Sequence, residues 1–251
     1  AINNRLREHL FIKSVLNGVY PNSTDVIYIS SLVRIKYGQI YIRSVEEKIA
    51  FFKTNQAYFE YFAHPTEKRL DGIKIDSLGF HHRAAYHAYM YAYSTFISAV
   101  HTLIGTPYQI SKESYINLRD AVYALVIMSN NGTYSNALSG RHPFHTNAPT
   151  IKRKIDMEKL IDISVDILGS PDSKIVAYYK RFNSDYTKYS DIDAEPIPTG
   201  FWQFNYANLG IYRQDTWLAS LKGINKFFWG TEIYGNANRY GKYQSFGAVE
   251  I

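Results

Sequence analysis

The hydrophobic pattern of the chain changes its period near residue 200, and this change limits the folds that the sequence can adopt. Before that point, apolar residues recur at steps of three and four, the spacing of one helix face. After it, Trp202, Phe204 and Tyr206 alternate with polar residues, as in a strand with one buried face. A polar, proline-containing stretch separates the two patterns. We therefore predict an α+β multidomain chain, with a helical region over 1–198 and the start of a β region over 199–251.

Helix boundaries are predicted from start and stop signals in the sequence. Ser44 and Glu47 form a capping box, in which a hydroxyl and a carboxylate three residues apart satisfy free amides at a helix start. Glycine, with proline or asparagine nearby, marks the ends of later helices. Helices are expected over about 44–64, 84–104, 111–129, 156–168 and 173–182, and strands over 201–206, 209–212, 217–221 and 243–251.

The composition is that of a folded chain and excludes several classes of protein. Of 251 residues, 46% are apolar and 20% are charged, which excludes a disordered tail. The longest apolar run, 121–128, is too short to span a membrane, so no membrane contact is predicted. The lack of cysteine excludes disulfides and thiolate chemistry.

The net charge of +6 favours an acidic partner. It is scattered rather than gathered in a basic stripe, so we expect no nucleic acid.

Tyrosine is unusually frequent, with 23 residues in a chain that is 16% aromatic. Its apolar ring and polar tip suit wet clefts and surfaces on which sugars stack. The alternative is that these tyrosines mainly pack helices against one another.

Three segments concentrate polar, titratable and aromatic side chains. In the first, His82 and Tyr89 are seven residues apart, which places them on one helix face, where they could form a proton-transfer pair. The alternative is a capping histidine and a core tyrosine. The second is a Gly-Arg-His-Pro loop around Arg141, where a lone arginine is usually structural. The third, 231–245, mixes Asn, Arg, Tyr and Gln as glycan-binding clefts do, although hairpin turns are also rich in Asn and Gly.

Other catalytic motifs are missing from the sequence. His142 and His145 lack the helical spacing and the nearby acid of a zinc site, so no metal site is predicted. Phosphate-binding, dinucleotide-binding and nucleophile-elbow patterns do not occur. Asp71, Asp76 and Glu232 could supply the carboxylate pair of a glycosidase, and this alternative stays open because the sequence gives no distance between them.

Taken in order, these segments resemble polysaccharide lyase family 8, and within it the chondroitin ABC lyase branch. The matching stretches are 76–89, 139–144 and 231–245, and 200–213 also follows the family pattern. The resemblance implies the last part of an incomplete α/α toroid, followed by the first strands of an antiparallel β-sandwich. Family members are several times longer, and the chain begins with Ala1 and ends inside a predicted strand. We therefore expect a fragment whose partners include the remaining segments of the same enzyme.

The resemblance also implies a reaction, which is β-elimination at C5 and C4 of a uronic acid. By position, Tyr89 matches the general base and acid, and Arg141 matches the cation that favours its phenolate. Glu232 matches the residue that orients this arginine, and His82 matches the catalytic histidine. Substrate-binding positions are assigned to a further set of residues: His81, Trp202, Asn205, Asn238 and Arg239.

One departure from the family pattern concerns substrate choice. Phe80 and His81 stand where the family has Trp-Arg, so sugar stacking or epimer preference is expected to differ. His81 is also a candidate second proton acceptor.

The sequence thus predicts a glycosaminoglycan lyase that acts on chondroitin or dermatan sulfate, with hyaluronan as a further candidate. The alternative is a non-catalytic glycan-binding module or an inactive fragment of such a lyase. No cofactor is certain, although a divalent cation such as calcium is compatible with the site. A secreted or periplasmic location is expected from the extracellular substrate.

Overall fold

The computed structural model describes most of the chain. The described residues are 5, 8, 10, 12–21, 23–68, 70–81, 84–85, 90–130, 133–134, 154–183, 187–227 and 247–251. Within these ranges, the part before residue 183 is mainly α-helical with two small sheets, and a four-stranded sheet lies between residues 200 and 250. This order agrees with the change of hydrophobic period near residue 200.

The helices and strands have the following bounds. The helices are α1 (Ile12–Leu16), α2 (Thr24–Ile40), α3 (Val45–Ala63), α4 (Met90–His101), α5 (Lys112–Met128), α6 (Lys154–Leu168) and α7 (Ser173–Phe182). The strands are β1 (Gly72–Ile73), β2 (Gly79–His81), β3 (Ala84–Ala85), β4 (Ser129–Asn130), β5 (Thr133–Tyr134), β6 (Gly200–Phe204), β7 (Leu209–Gln214), β8 (Trp217–Lys222) and β9 (Ala248–Glu250). A 3-10 turn, Asn205–Ala207, joins β6 to β7.

Serine caps set the starts of two predicted helices. The Ser44 Oγ accepts the amide of Glu47 at 3.2 Å, which confirms the serine half of the predicted capping box at α3. The Ser111 Oγ accepts the amide of Ser114 at 3.2 Å and begins α5. Each contact satisfies an amide that the helix itself leaves without a partner. Gly169, with a positive φ of 75°, follows α6 as predicted.

Two predicted boundaries are wrong. The helix expected from residue 84 begins at Met90, because Ala84 and Ala85 pair with β2 as strand β3. The helical spacing predicted for His82 and Tyr89 is therefore also wrong, because residues 84 and 85 between them form a strand. Cross-strand pairing there overrides the helix propensity of alanine. Tyr206, expected to extend the strand alternation, lies in the 3-10 turn, where its amide donates to the Asp76 carboxylate at 3.1 Å instead of to a strand.

Helix α2 is not among the predicted helices, and its burial pattern explains why. It exposes Ile29 and Val33, at 67% and 45%, while it buries Ser30, Ser31 and Arg34. Ile27 and Ile35 are buried as well, so apolar and polar residues are mixed on both faces. In an ordinary amphipathic helix the apolar residues face the core.

The helices pack around a core rich in aromatic residues, and the main contacts join alternate helices. Helix α2 packs against α4, α4 against α6, and α6 against α7. The ring of Phe96 in α4 meets Phe59 and Phe62 of α3 edge-on, with centroids 5.2 and 5.0 Å apart. Five tyrosines are at most 1% exposed: Tyr58, Tyr93, Tyr115, Tyr178 and Tyr179. For these five, packing between helices is confirmed as the role of the ring.

A buried arginine ties α2 to its neighbours. Arg34 is 1% exposed, and its Nε donates to Asn55 Oδ1 of α3 at 2.9 Å, while Nη1 donates to the Leu10 carbonyl. Its guanidinium also lies over the ring of Tyr58 at 5.2 Å. Burial lowers the pKa of Arg34 to about 10, which still leaves it charged at neutral pH.

The sheet has the order β6-β7-β8-β9, and all its strand pairs are antiparallel. Its inner face is buried and includes Phe204, Leu209, Ile211 and Leu218, at most 8% exposed. Its outer face is also apolar but exposed: Phe201 (65%), Tyr212 (42%), Trp217 (40%), Leu221 (55%) and Val249 (62%). An exposed apolar surface of this kind is typical of an interaction face.

None of the helices in the described part of the chain is both long enough and apolar enough to cross a membrane.

Adding a methyl group at Gly38 is expected to destabilise the protein. A Cβ at this position would lie 2.6 Å from Cε1 of Phe51 and 2.9 Å from Cζ of Phe52. Alanine favours a helix over glycine by about 1 kcal/mol, but overpacking a core costs about 1–3 kcal/mol. We expect Gly38→Ala to lower the free energy of unfolding by up to about 2 kcal/mol, measured by urea denaturation.

The exposed neighbour Gln39 provides the matched control. Gln39→Ala changes helix propensity without adding a group to the interface, so its stability should stay close to that of the parent. A gain in stability for Gly38→Ala would show that α2 and α3 approach less closely than described.

Candidate active site

The structure describes the surroundings of the predicted active site rather than its centre. The residues predicted from the motifs that lie outside the described ranges are His82, Tyr89, Arg141, Glu232, Asn238 and Arg239. Strand β2 precedes His82, and α4 follows Tyr89. Strand β5 precedes the segment that contains Arg141, and α6 follows it. Residues 227 and 247 are the nearest described residues on either side of the segment 231–245. The contacts of these elements show how the ends of the motif segments are held.

His81, which directly precedes His82 in the chain, is held between two carboxylates. It is 2% exposed, its Nε2 lies 3.2 Å from Asp25 Oδ2, and its Nδ1 contacts Asp71 Oδ2. Since an ionised carboxylate only accepts hydrogen bonds, Nδ1 carries the proton in the contact with Asp71. Asp71 also accepts the Thr24 amide at 3.2 Å, which joins the hairpin to the start of α2.

These carboxylates change the proton affinity of His81. Burial lowers its pKa, but the hydrogen bond and charge of Asp71 and the charge of Asp25 outweigh burial, so the pKa lies above its ordinary value. The described contacts give His81 a structural role in fixing the end of β2. Its predicted contact with substrate and its predicted role as proton acceptor stay predictions.

Lys74, in the turn after β1, is fully buried at 0% exposure. Its Nζ donates to Thr66 Oγ1 at 3.0 Å and to the carbonyls of Leu70 and Lys68, the latter at 3.3 Å. Nζ also lies 5.1 Å from the ring centroid of Tyr206, in the turn that follows β6. Burial lowers the pKa of Lys74 to about 8, with the charges of Asp71 and Asp76 opposing this shift.

Asp76 connects the same hairpin to the sheet. Its Oδ2 accepts the amide of Tyr206 at 3.1 Å, across 130 residues of sequence. Burial raises the pKa of Asp76, and backbone amides including those of Tyr206 and Asn205 partly oppose this shift. Asp71 and Asp76 thus both bind groups of the protein itself, which argues against their use as a glycosidase pair.

Two predicted substrate-binding residues lie at this junction. Asn205 begins the 3-10 turn, is exposed, and its Oδ1 accepts Gln203 Nε2 at 2.9 Å. Trp202 is half-buried in β6, opposite Ile211. The structure brings Asn205 next to the hairpin that ends at His81, as the contact between Asp76 and Tyr206 shows. Their contact with a sugar stays a prediction.

A second junction precedes the segment that contains Arg141. Arg213 of β7 is 3% exposed, and its Nε donates to the Pro198 carbonyl at 3.2 Å. Its Nη1 donates to the carbonyls of Ile127, at 3.0 Å, and of Ser129 at the end of α5. Asn130 of β4 also reaches the sheet, since its Nδ2 donates to the Thr216 carbonyl at 3.4 Å.

The far end of that segment is anchored on α4. Asp156, in the first turn of α6, is 1% exposed and accepts the hydroxyl of Ser94 at 3.0 Å. One turn further along both helices, Lys159 Nζ donates to Ser98 Oγ at 2.8 Å. Helix α4 begins directly after Tyr89, and α6 follows the segment that contains Arg141. The contacts between α4 and α6 therefore connect the ends of these two motif segments.

The sequence analysis missed the buried cations Lys74 and Arg213 as residues that organise the site. A lysine between two isoleucines, as at 73–75, is a signal for a buried or paired cation. No group of three or more His, Asp or Glu side chains that could hold a metal occurs among the residues that the structure describes.

Comparison with known proteins identifies the family. The family model described as "Lyase, catalytic" matches residues 11–187, which is more than half of the chain. The chain belongs to this family of lyase catalytic domains and is a relative of polysaccharide lyase family 8. The matched range contains α1 to α7 and the motif segments around Tyr89 and Arg141.

Two curated relatives come from Proteus vulgaris. The chain is 31% identical over 194 residues to a chondroitin sulfate ABC exolyase and 30% identical over 188 residues to a chondroitin sulfate ABC endolyase. Each match covers 72% of this chain, but only 19% and 18% of the relatives. The chain therefore spans about a fifth of the length of these curated relatives.

Solved structures of lyases share the fold. The chondroitin AC lyase of Streptomyces coelicolor, in complex with chondroitin sulphate, aligns with a TM-score of 0.65 at 15% identity, over 95% of this chain and 36% of that one. A Paenibacillus xanthan lyase aligns with a TM-score of 0.60 at 15% identity, over 90% of this chain and 23% of that one. At these identities the likeness shows the fold alone.

The ion pairs of His81 are expected to make stability depend on pH. Because its pKa is raised in the folded chain, the stabilisation is fully present below the ordinary value of 6.5 and is lost as the pH rises through the raised pKa. We expect His81→Gln to lower the free energy of unfolding by about 1–3 kcal/mol at low pH. Measured by urea denaturation across pH, this deficit should shrink as the pH rises.

His64, whose side chain is 69% exposed, supplies the control substitution. His64→Gln should follow the pH profile of the parent. If His81→Gln keeps the full pH dependence of the parent, the carboxylates do not stabilise a charged His81.

Proposed function

We propose that this chain is the catalytic part of a glycosaminoglycan lyase that cleaves chondroitin or dermatan sulfate by β-elimination. The observation that carries the proposal is the family match over residues 11–187, together with relatives named as chondroitin sulfate ABC lyases. The matched range includes three of the four proposed catalytic residues, which are His82, Tyr89 and Arg141.

The reaction requires removal of a weakly acidic proton. A base takes the proton from C5 of the uronic acid, a double bond forms between C4 and C5, and the bond from C4 to the glycosidic oxygen breaks. The departing oxygen takes up a proton, so no water is consumed. Negative charge develops on the uronate carboxylate as the C5 proton leaves, and this charge needs a compensating donor or cation.

Tyr89 is proposed as the base in its phenolate form and then as the acid that protonates the leaving oxygen. An ordinary tyrosine has a pKa of about 10, and a cation in contact can lower it by about 1–3. Arg141 is proposed as that cation, and Glu232 as the carboxylate that orients it. His82 is proposed to neutralise the uronate or to act as base toward the opposite C5 epimer.

The elements next to His82 and Tyr89 support this assignment, because buried polar contacts hold them in place. His82 follows a strand end fixed by Asp71 and Asp25, and Tyr89 precedes α4, which is anchored through Ser94. Groups that must meet a substrate within hydrogen-bond distance need such a fixed support. Buried polar contacts supply it on both sides of the first motif.

We also propose a domain architecture. It is an incomplete α/α toroid over 1–198, followed by the first strands of a β-sandwich over 199–251. The exposed outer face of the sheet supports it, because Phe201 and Val249 are more than 60% exposed there. A second sheet packed on this face would bury them. We propose that remaining segments of the same enzyme supply that layer.

Three further assignments follow from the proposed substrate. Hyaluronan shares the alternating uronic acid and is proposed as a second substrate. A secreted or periplasmic location is proposed because the polymer is extracellular. A divalent cation such as calcium is compatible with an acidic polysaccharide, and no step of the proposed reaction depends on it.

We expect Tyr89→Phe to lose most of its turnover while sugar affinity is kept. The substitution removes the proton-transfer oxygen and leaves the ring. Elimination produces an unsaturated uronate that absorbs in the ultraviolet, so the parent mixed with chondroitin sulfate should show rising absorbance. Loss of a general base should lower the rate by at least about 100-fold.

Tyr41→Phe is the matched control, because Tyr41 is 45% exposed at the end of α2. It should turn over like the parent. Full activity in Tyr89→Phe would contradict the assigned base. Binding without any absorbance change in the parent would instead favour a non-catalytic glycan-binding module.

A further inference from the structure

A pocket lies where the helices meet the sheet. Its volume is about 390 Å³, and its lining includes Asn130, Arg181, Phe182, Ile197, Arg213 and Thr216. We call it the junction pocket. Its walls come from four parts of the fold: the end of α5 with β4, the end of α7, the linker before β6, and the turn from β7 to β8.

Arg213 places a fixed cation in the wall of this pocket. It is 3% exposed, and three backbone carbonyls accept from its Nε and Nη1. Carbonyl acceptors hold the guanidinium in place without cancelling its charge. Within the described part of the chain, Arg213 forms no ion pair with a carboxylate, and its Nη2 makes no hydrogen bond.

Arg181 supplies a second cation in the same pocket. Its guanidinium lies 4.5 Å from the ring centroid of Phe182, and its Nη1 reaches the Pro196 carbonyl at 3.5 Å. Burial lowers the pKa of Arg181, and the charge of Glu195 partly opposes this shift, while Glu195 Oε1 accepts the Tyr123 hydroxyl at 3.2 Å. No ion pair joins Arg181 and Glu195 among the described contacts.

Both arginines line the same pocket. Burial lowers the pKa of Arg213, and the charge of Arg181 lowers it further. Two like charges held together in a half-buried pocket repel each other, and an anion placed between them would relieve that repulsion. Arginine is also the side chain best suited to bidentate binding of an oxyanion.

We infer that the junction pocket binds the sulfate group of a sulfated sugar. A tetrahedral sulfate ester has three outer oxygens and can accept from both guanidiniums and from a further donor at Asn130 or Thr216. A pocket of 390 Å³ is larger than a bare ion requires and lies within the size range of small-molecule sites. Phe182 and Ile197 offer apolar surface for the sugar ring.

This inference rests on the proposed function, since a lyase of sulfated polysaccharides would meet such groups along its substrate. None of the four proposed catalytic residues is among the described residues that line the junction pocket. The β4–β5 hairpin beside the pocket leads into the segment that contains Arg141. A sulfate bound here would hold the polymer next to the β4–β5 hairpin, from which that segment begins.

The test uses monosaccharides, which contain no glycosidic bond for a lyase to cleave. The 251-residue chain is titrated by calorimetry with N-acetylgalactosamine 4-sulfate, its 6-sulfate, the unsulfated sugar and inorganic sulfate. We expect at least one sulfated sugar to bind roughly tenfold or more tightly than both the unsulfated sugar and the free ion. Arg181→Gln should remove this preference, and Arg181→Lys should keep part of it.

Arg43→Gln is the matched control, because Arg43 is exposed in the loop before α3 and loses the same charge. It should bind as the parent does. The inference is overturned if Arg181→Gln keeps the sulfate preference, if Arg43→Gln loses it equally, or if inorganic sulfate binds as tightly as the sulfated sugars. Sugar binding without cleavage of chondroitin sulfate would count against the proposed function and leave the pocket assignment standing.

Discussion

The arrangement of helices and sheet depends on the buried guanidinium of Arg213. It donates to the Pro198 carbonyl before the sheet and to the carbonyls of Ile127 and Ser129 at the end of α5. Each of these carbonyls would lose its donor without Arg213, and a buried unsatisfied polar group costs about 1–3 kcal/mol. Asp76 and Lys74 form a second connection, from the β1–β2 hairpin to Tyr206 after β6. Two polar junctions thus orient the sheet on the helices.

The same junctions connect the fold to its proposed chemistry. The hairpin that reaches Tyr206 ends at His81, directly before His82, and the α5 end that binds Arg213 leads through β4 and β5 toward Arg141. Because buried cations need several acceptors at fixed distances, they allow few alternative arrangements of these elements. A lyase that positions a base and a cation on separate segments depends on such rigid supports. The junction pocket is a consequence of the same arrangement, since Arg213 is needed both to hold the sheet and to line the pocket.

The sequence predicted those parts of the fold whose signals are local. Helices α3 and α5 have serine caps, α6 ends at Gly169, and α7 was predicted with its observed bounds. Helix α2 was not predicted, because it buries Ser30 and Arg34 and exposes Ile29. The partners of Lys74 and Arg213 lie in tertiary structure, which residue spacing does not encode. The spacing of His82 and Tyr89 suggested a proton-transfer pair, and the particular catalytic roles came from the motif resemblance. His82, Tyr89, Arg141 and Glu232 lie outside the described residues.

We propose that the chain belongs to an enzyme that breaks its substrate by elimination. Mass spectrometry of the products formed from a defined chondroitin sulfate oligosaccharide tests this most directly. Elimination adds nothing to the substrate, so the masses of the two product fragments should sum to that of the parent oligosaccharide. Products that together carry one additional water molecule would show hydrolysis and contradict the account.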